Sequence, residues 1–286
     1  MTAYAGGKKQ LGKYIYEAIL DLEDELTDGD SVKNPLPYFE PFCGMCGVLI
    51  HFAMAKEKNA ERELSACDIN KDIIAMWKGL QKGWLPPSKC TKKRYDELKY
   101  SKSTSAERGF IGVVCSFGAQ FFRGNFRPKS NQHDFVAAGK RGVEKAVSFM
   151  PKERVKFMSA DSYDSFEPKD MLIYCDPPYR GNKVSNDTFE NFDHDKFWTL
   201  MRKWSKKNIV VVSEKEAPKD FISIWSKDYN VSFLRKKSKP KRERPSASKA
   251  LSSKSPKLSS NGKKKSPTGN IKKNYTEHLF VHKSTF

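Results

Sequence analysis

Asp170-Met171-Leu172-Ile173-Tyr174-Cys175-Asp176-Pro177-Pro178-Tyr179 is the stretch on which the reading of this chain turns. Its apolar run predicts a buried strand. The run stops at an acid followed by two prolines, which can neither donate to a sheet ladder nor continue a helix. The strand thus carries a carboxylate to its own carboxyl end, the edge of an open parallel sheet where ligands bind. The prolines fix the backbone after Asp176, so its carbonyls point in set directions, and Tyr179 offers a flat surface for a planar ring. A rigid acceptor cluster beside an aromatic plate suits a nucleobase amino group. Taken alone, the tetrapeptide is equally an ordinary proline turn with a solvated acid, and the rest of the chain decides between the two.

Upstream, Leu36-Pro-Tyr-Phe39-Glu40-Pro41-Phe42-Cys43-Gly44-Met45-Cys46-Gly47-Val48-Leu49-Ile50 passes from a strand through a glycine turn into an Ala-rich helix. This is the opening unit of a doubly wound fold, and Gly44 and Gly47 let the backbone approach a ligand closely. Residues 64 to 68 form a second short strand ending in Asp68, 21 residues after Gly47. An acid at that spacing is where a ribose hydroxyl pair is gripped. A helix holding Ile73, Ile74, Trp77 and Leu80 follows. At the N-terminus, Gly6-Gly7-Lys8-Lys9 feeds a helix with apolar positions at Leu11, Ile15, Ala18, Ile19 and Leu22. Amides at such a helix start attract anions, and Lys8 adds a point charge; a flexible basic start is the alternative.

Residues 82 to 150 break the strand rhythm. Pro86-Pro87, many basic residues and no clear strand predict a helical insertion, closed by Phe121-Phe122-Arg123-Gly124-Asn125-Phe126-Arg127-Pro128-Lys129. Basic residues interleaved with aromatics can contact phosphates and bases, or form a solvated loop capping a helix. A third strand is expected over 154 to 161, ending in Asp161, then the strand that ends at Asp176. The chain continues as a polar loop from Arg180 to Asn191, a helix over 193 to 204, a strand over 208 to 213, a helix over 218 to 224, a sixth strand around 229 to 234 and a last one over 274 to 282. Residues 235 to 273, rich in Lys, Ser and Pro, are expected to be disordered.

Charge is distributed in the same uneven way. Of a formal +19, residues 235 to 273 carry 15 Lys or Arg against the single Glu243, a net of +14, leaving +5 for the rest. A polyanionic partner, a nuclear-import signal or a nonspecific tether all fit this segment. No apolar run approaches the ~18–20 residues that span a bilayer, and the N-terminus lacks a signal-peptide core, so a soluble, intracellular protein is expected: cytoplasmic, or imported to a nucleus. The six cysteines, 43, 46, 67, 90, 115 and 175, suit reduced core thiols. Cys43-x-x-Cys46 has no second pair at ligand spacing, so no metal is expected.

With these residues in view, Tyr4-Ala-Gly-Gly-Lys8, Phe39-Glu-Pro-Phe-Cys-Gly44, Asp68-Ile69-Asn70 and Asp176-Pro-Pro-Tyr179, in that order, resemble the Dam-type DNA adenine methyltransferases of the alpha group. The resemblance covers nearly the whole chain apart from 235 to 273. It implies a Rossmann-like class I methyltransferase fold, an α/β architecture with a seven-stranded, mostly parallel sheet whose last strand is antiparallel. The catalytic domain would comprise 1–81 and 151–286, with 82–150 as target-recognition insertion and 235–273 as a disordered basic insertion in the last hairpin. It further implies S-adenosyl-L-methionine held by Tyr4, Lys8, Pro41, Phe42, Cys43, Gly44, Gly47, Asp68, Ile69 and Asp176, with Asp161 beside the adenine. Catalysis would rest on Asp176, Pro177, Pro178 and Tyr179, and DNA contact on Arg123, Asn125, Arg127 and Lys129. The chain departs from the family in the cysteines of its glycine motif and in an insertion that shares only general aromatic and basic character, so no target sequence is inherited.

The implied chemistry is direct. The adenine amino nitrogen is a poor nucleophile because its lone pair is delocalised into the ring. Acceptance of its two hydrogens by Asp176 and the Pro177 carbonyl would make it more tetrahedral and free the lone pair for the sulfonium methyl. The base must swing out of a duplex at a cost of a few kcal/mol and stack on Tyr179. Expected partners are double-stranded DNA and, in a restriction-modification setting, a cognate endonuclease, with the chain a monomer or weak dimer and no membrane involved. Cytosine-N4 or RNA amino methylation, and a catalytically silent DNA-binding relative, are the alternatives.

Overall fold

In the computed structural model, the described residues are 7–27, 34–55, 62–123, 125–130, 133–159, 161–180, 192–233 and 271–286. Short, largely buried apolar runs build a seven-stranded sheet. Its strands are β1 (Tyr38–Glu40), β2 (Leu64–Ala66), β5 (Val155–Phe157), β6 (Leu172–Cys175), β7 (Ile209–Glu214), β8 (Phe221–Phe233) and β9 (Ile271–His282). Their order is β5-β2-β1-β6-β7-β9-β8. Parallel pairing runs from β5 through β7, with Tyr38 opposite both Leu64 and Leu172 and Cys175 opposite Val212; β9 is antiparallel to β7, with Val212 opposite Phe280. This is the expected Rossmann-like arrangement, a doubly wound and mostly parallel sheet with an antiparallel strand near one edge. The chain leaves β1 in one direction and returns on its other side at β6, so the tips of β1 and β6 flank the crevice where strand order reverses.

Period-two alternation splits the strand side chains between two faces. Phe39, Ile173, Cys175, Val210, Val212 and Phe280 pack with Phe197, Trp198, Met201 and Trp204 of α7 (His194–Trp204). Asp193 starts that helix by accepting from the backbone N–H of Asp195 and Lys196 at 3.1 and 2.9 Å. Elsewhere the Tyr38 ring stacks on Phe52 of α2 (Leu49–Met54), centroids 3.9 Å apart, and Phe52 meets Tyr16 of α1 (Gly12–Leu26) edge-on. Arg62, just before β2, is fully buried and forks onto both carboxylate oxygens of Glu23 in α1 at 2.9 and 2.6 Å. A third donation, to the Leu36 carbonyl at 2.6 Å, joins α1, the entry to β1 and the entry to β2 through one guanidinium.

After β2, α3 (Lys71–Gln81) is capped by Asn70, whose side chain accepts from Asp72 and Ile73. Residues 82–150 carry α4 (Lys92–Tyr100), α5 (Ala106–Val114), α6 (Phe135–Val147) and, where no strand was expected, a hairpin of two-residue strands, β3 (Lys129–Ser130) and β4 (His133–Asp134). Helix α5 lies tightly on α3. A Cβ on Gly109 would fall 2.1 Å from the Asp72 carbonyl oxygen, and the Asp72 side chain accepts from Ser105 N at 2.9 Å and from the Arg108 guanidinium.

One element differs outright from expectation. The helix predicted over 218 to 224 is strand β8. Phe221-Ile-Ser-Ile-Trp225 is β-branched and aromatic, with a buried Phe221 followed by an exposed Ile222, and Pro218 accepts from Phe221 N at 2.9 Å to make the turn into it. By compactness the chain divides into residues 1–226 with 277–286, and residues 227–276. Within the second unit Thr276 donates to Asp228 at 2.6 Å and the rings of Tyr229 and Tyr275 stack at 5.8 Å, the opposite running order of an antiparallel ribbon. Of the segment expected to be disordered, Ile271 to Lys273 belong to β9, and the remainder lies outside the described residues. Among the described residues no helix is long and apolar enough to cross a membrane.

The buried Arg62–Glu23 pair makes a direct prediction. Arg62→Met, which strands a buried carboxylate, should lower the unfolding free energy in a denaturant titration by about 3–5 kcal/mol, and adding Glu23→Leu should recover most of it.

Candidate active site

The site is assembled at the carboxyl edge of the sheet from the tips of β1, β2, β6 and β7, a residue of β9 and the N-terminal loop. Backbone bonds first tie the tips of β1 and β2 together: Cys67 N donates to Glu40 O at 3.0 Å and Cys43 N to Cys67 O at 2.9 Å. The turn after Glu40 then closes with Cys46 N on Cys43 O at 2.7 Å, Gly44 and Cys46 both in the left-handed region at φ +45° and +58°. The cysteines therefore do not prevent the glycine motif from turning, although Cys46 holds a conformation that costs a residue with a Cβ of order 1 kcal/mol. Both thiols are buried, and burial pushes their ionisation up. Among the described residues no group of three His, Cys, Asp or Glu is arranged to hold a metal ion.

Asp68, just past the end of β2, faces this turn. One carboxylate oxygen accepts from Gly44 N at 2.9 Å and the other from Asn70 N at 2.8 Å, while burial pushes its pKa up to about 6. Each oxygen keeps a lone pair for a ligand hydroxyl. Next to it Ile69 is 42 % exposed, an apolar surface at the rim, and Trp77 fixes the Gly44 carbonyl from beneath with an indole N–H at 3.0 Å.

The N-terminal loop reaches the same edge because two glycines let it. A Cβ on Gly12 would fall 2.0 Å from the Gly47 carbonyl oxygen, and one on Gly47 3.0 Å from Lys8 N. With the two segments in contact, the Lys8 ammonium arrives at the tip of β6. It donates to Asp176 Oδ1 at 2.6 Å and to the Tyr179 hydroxyl at 2.7 Å, lies 4.7 Å from the centre of the Tyr179 ring, and stands 3.6 Å from Glu277 Oε1. The Tyr179 hydroxyl donates in turn to Glu277. Lys8 is 7 % exposed, Asp176 16 % and Glu277 1 %, so this is a nearly closed ionic cluster. Burial raises the Asp176 pKa and the Lys8 charge opposes that rise.

Two further acids complete the edge. Glu40, at the tip of β1, is buried and pushed up to about 8 by desolvation, its Oε2 accepting from Tyr38 Oη at 2.9 Å. Glu214, at the tip of β7, is pushed up to about 7 by burial and accepts from the backbone N–H of Arg180 at 3.2 Å and Lys215 at 2.8 Å. A cavity of about 470 Å³ opens beside Glu214, walled by Arg180, His194, Trp198, Thr199 and Arg202.

The structure therefore brings Lys8, the loop Pro41 to Gly47, Asp68, Ile69 and Asp176 to Tyr179 to one edge, while Tyr4 lies outside the described residues. Pro177 is buried and Pro178 half-buried behind Asp176. The ring of Tyr179, expected as an open plate, is half-buried with Lys8 against its face. Asp161 is not at a strand end. Strand β5 ends at Phe157, so Asp161 lies four residues beyond it, well exposed and ion-paired with Lys71 of α3, which holds its carboxyl below the ordinary range. In the insertion, Asn125 and Lys129 are exposed and Arg123 is half-buried, while the Arg127 guanidinium rests on the rings of Phe117 and Phe135, 5.2 and 5.0 Å from their centres. Sequence reasoning assigned nothing to Glu40, Glu214 or Glu277. Glu40 and Glu214 carried a signal, each being an acid at the last position of a buried strand, whereas Glu277 lies inside β9 and had none.

Glu40 yields a pH prediction. A carboxyl raised in the folded state contributes stability that is present at low pH and lost as pH rises through the folded value. Glu40→Gln keeps an oxygen for Tyr38 and cannot ionise. Its melting temperature should match wild type near about pH 5 and exceed it by several degrees above about pH 8 in calorimetric scans.

No protein-family model matches the sequence, and no curated protein matches it. Among solved structures, the chain is similar over 66 % of its length to SMU.472, described as "a putative methyltransferase complexed with SAH", at 10 % identity and a TM-score of 0.27. The match covers 45 % of that chain, so this protein spans less than half of the structure it resembles. The fold assignment stands on the strand order itself: a doubly wound sheet reversing between β1 and β6, with β9 inserted antiparallel beside β7.

Proposed function

We propose that the chain transfers the methyl group of S-adenosyl-L-methionine to the N6 amino group of adenine in DNA. One observation carries this reading: the rigid Asp176-Pro177-Pro178-Tyr179 tip already accepts a nitrogen donor, the Lys8 ammonium, at 2.6 Å, against an aromatic ring. An acceptor that seats one N–H donor at that distance can seat another of similar size. The acids along the edge also favour a cationic ligand over a neutral one.

The loop fits the methyl donor. Gly44 and Gly47 bring backbone close to the site, Asp68 has lone pairs for a pair of ribose hydroxyls, and Ile69 presents an apolar face for a purine. When bound, the donor supplies an electrophilic methyl on a sulfonium. The chain's own work lies in orientation and proton acceptance. Asp176 and the Pro177 carbonyl accept the two amino hydrogens and turn the nitrogen lone pair out of conjugation, and the two prolines keep those acceptors from moving. Asp176, raised by burial, is a competent acceptor for the proton lost after transfer. The thiols, buried and raised, take no nucleophilic part. The exposed Asn125 and Lys129 of the insertion would meet the duplex, with the Arg127 and Phe117 stack beside them as a flat surface.

The test is incubation of purified protein with methyl-labelled donor and unmodified genomic DNA, followed by mass spectrometry of the nucleosides. N6-methyladenine is expected, and its absence under conditions of demonstrated donor binding would end the reading. Asp176→Ala should reduce transfer by about a thousandfold or more. Asp68→Ala should instead act on donor binding, raising its Kd by about 10–100-fold, the loss of one or two charge-assisted hydrogen bonds. For the duplex, Lys129→Ala should lower the salt slope of binding by about one unit with little change in site preference.

A further inference from the structure

A closed ionic cluster poses a problem for the reaction just described, on which the following rests. The ammonium of Lys8 occupies the Asp176 oxygen and the Tyr179 face that an incoming base would need. Lys8 is held on a loop locked to the glycine turn by the Gly12 and Gly47 contacts, so it cannot swing away with its backbone fixed without leaving a charge in a buried place. Expelling a buried lysine, or leaving it unpaired beside a neutral adenine, is strongly unfavourable, because the charge loses its water without gaining a carboxylate.

Glu277 removes the difficulty. It is almost fully buried, sits 3.6 Å from the same ammonium, and shares the Tyr179 hydroxyl with it. A shift of about 1 Å, within the rotamer freedom of a lysine stem, converts the 3.6 Å approach into a hydrogen bond. Tyr179, already bonded to both, can keep its donation to Glu277 throughout. Glu277 itself is fixed because it lies within β9, adjacent to His278, which pairs with Glu214 of β7. We propose that Glu277 is the second seat of the Lys8 ammonium: when the acceptor amino group takes Asp176, Lys8 moves to Glu277 and the buried cation is never without a carboxylate. Glu277 is thus a positioning residue, acting on the acceptor through Lys8 and Tyr179.

The arrangement predicts opposed effects of two substitutions. In steady-state methylation with saturating donor, Glu277→Gln, which keeps an oxygen for Tyr179, should raise KM for the duplex about tenfold or more and change kcat less than about threefold, because Lys8 then competes for Asp176. Adding Lys8→Met to Glu277→Gln should bring KM back to about that of Lys8→Met alone. An unchanged KM in Glu277→Gln, or a double variant no better than Glu277→Gln, overturns the proposal, since a merely structural glutamate would not be relieved by deleting a lysine. If the wild-type protein marks no adenine in any duplex, it is the reading of the reaction that fails, and the second seat is read without ligand by nitrogen-15 NMR of the lysine ammonium groups. With the Lys8 signal assigned by its loss in Lys8→Met, Asp176→Ala should retain a slowly exchanging Lys8 ammonium and Asp176→Ala with Glu277→Gln should lose it. Loss in Asp176→Ala alone overturns the proposal whatever the activity.

Discussion

A single buried ammonium among carboxylates is the constraint around which this structure is arranged. Lys8, Asp176 and Glu277 come from the N-terminal loop, the tip of β6 and the interior of β9, 168 and 101 residues apart along the chain. None of the three would be stable at its depth without the others, because each charge is withdrawn from water and only its partners compensate. That requirement explains the geometry of the N-terminus. The loop must lie flat on the glycine turn for Lys8 to arrive, and the missing Cβ atoms of Gly12 and Gly47 are what allow the two backbones to touch.

The sheet provides the rest of the positioning. Reversal of strand order between β1 and β6 opens a crevice, and Glu40, Asp68, Asp176 and Glu214 each stand at or just past the end of a parallel strand that borders or approaches it. Burial at this low-dielectric edge raises the pKa of all four acids, and the Asp176 charge adds to the rise at Glu40 and Glu214. The helical insertion is fastened to the same frame, through Asp72 at the start of α3 and the Arg108 guanidinium, which also covers the rings of Phe121 and Phe122. The loop carrying Asn125 and Lys129 thus follows directly from residues packed against α3, the helix capped by Asn70.

Where sequence reasoning missed, the cause was consistent. Asp161 was placed at a strand tip because an acid followed a short apolar run, yet the strand stops at Phe157 and a salt bridge to Lys71 holds the acid in solvent. The stretch from 218 to 224 was read as a helix, but side-chain packing of Phe221 on Trp198, rings 4.7 Å apart, and the alternation that follows favour a strand. Local patterns name candidates for an element; burial against neighbours far along the chain selects among them.

The strand that ends before Asp176, the glycine turn, the acid at its later spacing and the Asp-Pro-Pro-Tyr tip were legible in the residues, because proline, glycine and strand periodicity act locally and fix the backbone within a few positions. The order of the strands, with β9 placed between β7 and β8, came from the structure. What only the tertiary structure decided is which charges share one pocket. That Lys8 lies on Asp176 and across Tyr179, that Glu277 stands behind both, and that Glu40 and Glu214 are buried acids at the same edge depend on pairings between distant segments. Charge pairing is a matter of a few ångströms in space, and no spacing along the chain encodes it.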